Sequence, residues 1–327
     1  MQNLLDPAIL FFIFGVLAGA VRSNLEIPPA ISRFLSLYLL MALGLKGGFA
    51  LSVSGLTSTV AISLAAAVAL AIYVPLMGYF FLKRFVSGFD AAAVAATYGS
   101  VSAVTFVTAV QYLENQGVSY GGHMAAAMAL MESPAIIMAV VFANALRQKA
   151  GVAAEVVAAS LKPKVSIRKI LHESFTDGAQ LLLIGAMAIG LLTGESGKAA
   201  MQPFSGDLFK GMLSFFLLDM GLMAARNLPQ VRGKSPVLVA YAVVGPMVHA
   251  ALALALAYAL QLSAGDGALL MVLAASASYI AVPAVLRYAL PESNPSLYFG
   301  LSLGVTFPLN ILFGIPVYAS IAKACLS

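Results

Sequence analysis

Two stretches of this sequence interrupt long apolar segments with small and hydroxyl-bearing residues: "YGSVSAVT" (98–105) and "AASASYIAV" (274–282), the second followed directly by Pro283. Unwound backbone inside an apolar helix leaves N–H and C=O groups that a ligand or ion can satisfy. The freed start of a half-helix carries a partial positive charge, worth about 0.3–1 kcal/mol per interaction. Two such ends would form a cradle for a small carboxylate or bicarbonate. The alternative is that these residues only permit close helix packing, with Pro283 a simple kink.

Four further polar side chains lie inside apolar segments, where a charge costs about 2.5–3.5 kcal/mol on insertion scales. Glu132 in "LMESPAII" and Asn310 in "TFPLNILFG" offer hard oxygen ligands for Na+, and the acid could instead carry a proton. The alternative for Glu132 is a neutral, hydrogen-bonded buried carboxyl. Lys46 and Asp219 are predicted to form a structural ion pair, or else Lys46 lies opposite the substrate.

The composition indicates which kind of molecule holds these residues. Of the 327 residues, 61% are hydrophobic and only 9% are charged, against about 25% charged in soluble domains. Apolar runs of about 20 residues predict an all-α integral membrane protein embedded in the lipid bilayer. A phosphate-binding loop, a paired metal-ligand motif and a nucleophile elbow are all missing, so an enzyme is not expected, and the low charge excludes a nucleic-acid partner.

Charges, glycines, prolines and asparagines divide the chain into ten apolar segments. They span residues 8–22, 31–52, 58–83, 90–114, 119–147, 174–193, 203–226, 235–261, 266–290 and 296–322. Most of the 18 Lys and Arg residues fall in the loops on one side of these segments. The positive-inside bias makes that side cytoplasmic and predicts that both termini face outward. Asp90 and Asp266 begin the two interrupted segments and are predicted to cap them.

The two halves of the chain show a weak internal repeat. "ALGLKGGFAL" (42–51) aligns with "DMGLMAARNL" (219–228), and "YLENQGVSYGG" (112–122) aligns with "LPESNPSLYFG" (290–300), at nearly the same offset. The same offset pairs Ser100 with Ser278 and Glu132 with Asn310. Residues 1–146 and 174–327 therefore each hold five segments, joined by the basic linker 147–173, and an odd number inverts the second copy. Inverted repeats are typical of secondary transporters; an intramembrane enzyme and a non-transporting sensor are the alternatives.

The sequence resembles the sodium-dependent bicarbonate transporter family over nearly its whole length. The resemblance lies in "LGLKGGFAL" (43–51), "YGSVSAVT" (98–105), "LMESPAIIMAVVFAN" (130–144), "AASASYIAVPAVLR" (274–287) and "SNPSLYFG" (293–300). It implies ten transmembrane helices in two inverted five-helix repeats, with discontinuous helices 4 and 9 crossing at the midplane. A core domain of helices 3–5 and 8–10 would move past a gate domain of helices 1, 2, 6 and 7.

The resemblance also implies Na+-driven bicarbonate uptake across a bacterial inner membrane, a homotrimer, and a PII-like cytoplasmic regulator. By position, the substrate site would comprise Gly99, Ser100, Val101, Ser102, Ala103, Thr105, Ser276, Ala277, Ser278, Tyr279 and Ile280. The Na+ ligands would be Glu132, Asn310, Ser100 and Ser278.

The sequence departs from the family pattern at two positions. The family carries an aspartate where Tyr279 stands and a small hydroxyl residue where Lys46 stands. These changes remove an anionic group and add a cation. They leave open a Na+-independent or proton-coupled carrier of another small carboxylate. Lys46 and Asp219 are the residues expected to decide the coupling.

Overall fold

A computed structural model describes residues 5–150, 177–231 and 233–326, and within these ranges the chain forms helices and no β-strand. The first half contains α1 (Pro7–Ala20), α2 (Pro29–Ser54), α3 (Ser58–Leu82), α4 (Gly88–Gly99), α5 (Ala103–Asn115) and α6 (Met124–Ala150). The second half contains α7 (Gly178–Met201), α8 (Phe209–Asn227), α9 (Pro236–Ala259), α10 (Ala264–Ala275), α11 (Ala281–Ala289), α12 (Pro295–Leu301), α13 (Phe307–Leu309) and α14 (Ile315–Cys325). Of the predicted basic linker, residues 151–173 lie outside the described ranges.

Seven helical runs in the described ranges are long and apolar enough to cross a membrane, and α1 and α10 are shorter apolar helices. The protein is therefore a multi-pass membrane protein. Two of the predicted segments are each divided between two helices, 90–114 between α4 and α5 and 266–290 between α10 and α11. Helices α12 to α14 run on as one 31-residue span through turns of π-helix.

The segment predicted to end at residue 193 is interrupted there, because Gly194 has a non-helical backbone with φ of 54°, and α7 resumes after this kink and runs to Met201. Only glycine adopts that left-handed conformation readily. One local prediction was wrong: Asp90 and Asp266 are not the caps of their helices, because the capping side chains belong to Ser87 and Ser263.

Each serine cap leaves its aspartate free to bind a loop from the other half of the chain. Ser87 Oγ accepts the Asp90 N–H at 3.0 Å, and Ser263 Oγ accepts the Asp266 N–H at 3.1 Å. The Asp90 carboxylate then accepts the N–H of Asn294 at 2.8 Å. The Asp266 carboxylate accepts the N–H of Gly121 at 2.6 Å. We call these two contacts the aspartate clasps.

Helices α1, α2, α7 and α8 pack into one group, the four-helix unit, in which glycines allow close approach. Gly15 and Gly221 bring α1 against α8, and Gly44 and Gly48 bring α2 against α7. In both pairs, successive contacts advance in the same chain direction, so the paired helices run parallel. Small residues allow backbones to approach closely in membranes, where hydrophobic exclusion from water is missing.

The remaining helices, α3 to α6 and α9 to α14, form a second group that we call the broken-helix unit. Its core contacts join α3 to α4 and α6, α9 to α10, and α10 to α14. Interior prolines lie in α3 and α9, at Pro75 and Pro246. The two groups meet along a seam in which α2, α7 and α8 contact the broken-helix unit.

We predict that Gly221→Ala destabilises the four-helix unit. A Cβ at this position would lie 2.3 Å from the carbonyl oxygen of Phe12, and backbone cannot move aside as a side chain can. Overpacking of this kind costs about 1–3 kcal/mol. The apparent Tm in detergent should fall, whereas Gly211→Ala, on the same helix with open space around it, should not lower it. Equal Tm values for the two variants would contradict the close α1–α8 packing.

Candidate functional site

The first break separates α4 from α5 at residues 100–102. Helix α4 ends at Gly99, where only a glycine fits, because the Pro75 ring of α3 occupies the space that a Cβ would need, with ring carbons 2.5 Å from that point. Ser100 makes the last helical hydrogen bond, from its N–H to the Ala96 carbonyl. Ser102 then caps α5 by accepting the N–H of Thr105 at 3.2 Å.

The second break separates α10 from α11 at residues 276–280. Ser278 Oγ accepts the Val282 N–H at 3.3 Å, at the start of α11. Pro283 lies within the first turn of α11 rather than at the break. A first-turn residue has no intrahelical acceptor for its N–H, so proline is tolerated there. The interruption therefore comes from the serine-rich stretch that precedes the proline.

The two breaks satisfy each other's backbone groups. The Ser278 N–H donates to the Thr97 carbonyl at 2.8 Å. The Ser102 N–H donates to Ser276 Oγ at 3.0 Å, and that hydroxyl donates to the Leu273 carbonyl at 2.9 Å. The prediction that the breaks approach each other is confirmed.

A cavity of about 250 Å³ lies beside the crossing. It is lined by Ser36, Leu40, Val101, Ser102, Ala103, Val104, Met128, Ala129, Glu132, Ile136, Asp177, Ala179, Gln180, Leu183, Ser278, Tyr279, Ile280, Ala281, Ala284 and Val285. The first turn of α7 and the N-terminal half of α2, at Ser36 and Leu40, contribute to it, so the cavity extends toward the end of the molecule where α7 begins. We call that end the linker end.

Backbone amides of both half-helices border this cavity. The amides of Ala103 and Val104 open α5, and those of Tyr279, Ile280 and Ala281 lead into α11. Within the described ranges, none of these amides has a hydrogen-bond acceptor. Unpaired amides at a helix start attract negative charge.

Among the described residues, the ionic side chains that line the cavity are the carboxylates Glu132 and Asp177, and this part of the lining holds no Lys, Arg or His. Glu132 Oε2 accepts the side-chain amide of Gln180 at 2.5 Å. Asp177 caps α7 by accepting the N–H groups of Ala179 and Gln180 at 2.9 and 3.2 Å. The site thus presents donors from backbone and negative charge from side chains.

Comparison with known families identifies the chain. A model of the Na+-dependent bicarbonate transporter superfamily matches residues 7–323. The chain belongs to the Na+-dependent bicarbonate transporter superfamily. No curated protein matches it significantly. Superfamily membership indicates a membrane transporter of a small anion rather than an enzyme.

For a superfamily member, the placement of the expected substrate residues is informative. Six of them line the cavity: Val101, Ser102, Ala103, Ser278, Tyr279 and Ile280. Thr105 and Ser276 stand behind the lining and hold it through hydrogen bonds. Gly99, Ser100 and Ala277 are outside the lining, and the buried Ser100 hydroxyl finds no hydrogen-bond partner in the described part of the chain.

The expected Na+ ligands do not all meet. Glu132 and Ser278 line the cavity, whereas Ser100 and Asn310 do not. The Asn310 side-chain amide donates to the Ala275 carbonyl at 2.8 Å and its oxygen accepts from the Tyr318 hydroxyl at 3.3 Å. Asn310 therefore ties the second break to the last helix.

The predicted pairing of Lys46 with Asp219 is wrong. Lys46 Nζ lies 3.1 and 3.0 Å from the two carboxylate oxygens of Glu114, and the Tyr120 hydroxyl donates to the same carboxylate at 2.9 Å. Lys46 lines a separate cavity of about 480 Å³ at the other end of α2. Lys46 does not line the crossing cavity in this structure.

Sequence reasoning missed Gln180, Asp177 and Ser36 as lining residues. Gln180 and Asp177 stand at the start of a segment, where polar residues are ordinary. The contact of Gln180 with Glu132 is made between helices far apart in sequence.

We predict that Ser276→Ala loosens the crossing of the two breaks. The change removes the acceptor of the Ser102 N–H, and a buried donor left unpaired costs about 1–3 kcal/mol. The matched control is Ser63→Ala on α3, whose buried hydroxyl donates only to its own helix, at the Thr59 carbonyl. Thermal unfolding in detergent should show a larger fall in Tm for Ser276→Ala. A larger fall for the control would show that the contact is not a main support of the crossing.

Proposed function

We propose that this protein takes up bicarbonate together with Na+ by an elevator-type mechanism, in which the broken-helix unit carries the site along the four-helix unit. The observation that carries this proposal is the chemistry of the crossing cavity. Its backbone donors suit an anion, and the ionic side chains that the described ranges contribute to it are carboxylates.

The geometry of the cavity supports the proposal that it binds an anion. Bicarbonate is a small planar anion with three oxygens, and the free amides of α5 and α11 converge on one cavity from two sides. Backbone amides held by helices need no reorganisation on binding, and hydrogen bonds to a charged group contribute about 1.5–3 kcal/mol. The Ser102 and Ser278 hydroxyls add adaptable partners.

The balance of charges in the cavity supports the proposal that a cation binds together with the anion. An anion that enters a cavity bearing Glu132 and Asp177 meets negative charge, which no Lys, Arg or His of the described lining offsets. A cation that binds with the anion removes this repulsion. Glu132 is a half-buried carboxylate that lines the cavity together with residues of both breaks, so we assign it as the main Na+ ligand, with the Ser278 hydroxyl and the carbonyl oxygens of the breaks.

Alternating access is supported by two features of the fold. The parallel pairs α1–α8 and α2–α7 match the inverted five-helix repeats that we propose, because the first helix of one half packs along the second helix of the other. The seam is also asymmetric: the cavity extends toward the linker end, while the Lys46–Glu114 ion pair joins the two units at the opposite end.

The basic residues that flank the helices assign the linker end to the cytoplasm, with both termini outside. The cavity would then face the cytoplasm in this structure. We propose the homotrimer and the PII-like cytoplasmic regulator on the family resemblance alone.

The deciding experiment is uptake of labelled bicarbonate, formate and acetate into proteoliposomes, with an inward Na+ gradient or with choline in place of Na+. We expect bicarbonate uptake that depends on Na+. Uptake that ignores Na+ and follows a pH gradient would instead favour a proton-coupled carrier. Binding of the anion without uptake would favour a sensor.

We predict that Ala103→Pro weakens anion binding without disturbing the fold. Ala103 is the first residue of α5, where proline is well accommodated, and Ser102 before it has the extended backbone that proline requires (φ −105°, ψ 109°). The change removes one amide from the cradle, so the anion Kd should rise by about tenfold, equivalent to about 1.4 kcal/mol.

The control for this change is Ala264→Pro at the first position of α10, which follows an extended Ser263 and does not line the cavity. Both variants should keep the parent Tm in detergent. Unchanged anion affinity in Ala103→Pro would show that the α5 amides do not bind the anion.

We predict that Glu132→Gln reduces the Na+ dependence of uptake more than it reduces stability. Glutamine keeps the shape and can still accept from Gln180, but it lacks the negative charge that favours a cation. The Na+ concentration for half-maximal uptake should rise by about tenfold or more. Glu195→Gln, an exposed acid on α7, serves as the control. An unchanged Na+ response at normal expression would make Glu132 a purely structural residue.

A further inference from the structure

Asp219 is a buried carboxylate that the proposed function does not use. It lies in the middle of α8 and is 6% exposed. Its Oδ2 atom has no hydrogen-bond partner anywhere in the described ranges. Its polar neighbours are the Ser32 hydroxyl and the more distant Arg226, whose guanidinium donates to the Leu25 carbonyl. An ionisable residue at membrane depth is expensive and usually serves a function.

The carboxylate stands where the two units meet. The Tyr279 hydroxyl of the second break contacts the sulfur of Met220, the next residue on α8, at 3.7 Å. Asp219 itself lies within electrostatic range of the Tyr279 hydroxyl. Helix α8 also packs against the π-helical turn of residues 302–306 in the broken-helix unit. Asp219 thus belongs to the four-helix unit but faces a residue that lines the substrate cavity.

Asp219 does not complete a metal site of its own, since the described ranges hold no cluster of three or more His, Cys, Asp or Glu side chains. It does not line the cavity either, so it does not touch a bound anion in this conformation. What it offers is a fixed negative charge beside the path of the second break. Charges interact strongly across poorly solvated protein. The Asp219 carboxylate therefore acts on the net charge that the cavity carries as it moves past in the proposed mechanism.

The net charge of the site depends on which ions are bound in it. An empty site and a site that holds both Na+ and bicarbonate carry the same net charge, because the two ions cancel. A site that holds bicarbonate alone carries one more negative charge. A fixed carboxylate along the path would therefore slow the anion-only form more than the empty or the doubly loaded form.

We propose that Asp219 is a charge filter that enforces coupling: it opposes movement of a site loaded with an anion but no cation. This inference rests on the proposed function, and it adds a role for a positioning residue outside the binding site. Asp219 would leave anion affinity unchanged and would act on the ratio of coupled to uncoupled uptake.

The test compares bicarbonate uptake into proteoliposomes with Na+ and with choline for the parent protein and for Asp219→Asn. In the parent protein we expect uptake with Na+ to exceed uptake with choline by about tenfold or more. In Asp219→Asn we expect this ratio to fall to about threefold or less, because uptake in choline rises, while the anion Kd stays within about twofold. Asp219→Glu keeps the charge and should retain the parent ratio.

Asp207→Asn is the matched control, since Asp207 is an exposed acid just before α8, and its ratio should equal that of the parent. If Asp219→Asn does not fold, Asp219→Ser replaces it in the same comparison. If a folded and active variant that lacks the charge keeps the parent protein's ratio of uptake in Na+ to uptake in choline, the charge-filter proposal is wrong. Loss of uptake in both Na+ and choline would also overturn it. No Na+-dependent uptake in the parent protein would be the separate failure of the proposed function.

Discussion

Every polar backbone group inside a bilayer needs a partner, and the crossing of the two breaks is arranged around that requirement. Breaking a helix at membrane depth exposes several N–H and C=O groups, each costly to bury alone. Here part of that cost is offset by contacts between the breaks, from Ser278 to Thr97 and from Ser102 to Ser276. The amides left over border the cavity. The same few residues therefore supply both the backbone groups that join the two breaks and the amides that border the cavity.

The rest of the fold holds this crossing in place with small residues and prolines. Gly99 lets the Pro75 ring reach the end of α4, and Asn310 holds the end of α10 through the Ala275 carbonyl. In the four-helix unit, glycine contacts replace hydrophobic exclusion as the source of tight packing. A firmly packed surface would suit the elevator-type movement that we propose.

The sequence predicts the helical class, the two breaks and the location of Glu132, because each is a local signal: an apolar run, a serine-rich interruption, an acid in mid-segment. It does not predict which helix faces meet, because faces toward lipid and toward protein are equally apolar. The contact of Glu132 with Gln180 and that of Lys46 with Glu114 therefore went unseen. Asn310 misled for another reason: in the inverted repeat that we propose, equivalent positions would meet only near the repeat axis.

The aspartate clasps have a consequence for how the protein is made. Asp90 of the first half binds the loop at Asn294, and Asp266 of the second half binds the loop at Gly121. Each half thus supplies an acceptor for a loop that belongs to the other. During synthesis, the first five segments enter the bilayer with their clasp empty and their break unmatched. The aspartate clasps and the contacts between the two breaks can therefore form only after α10 and the loop before α12 have been translated and inserted.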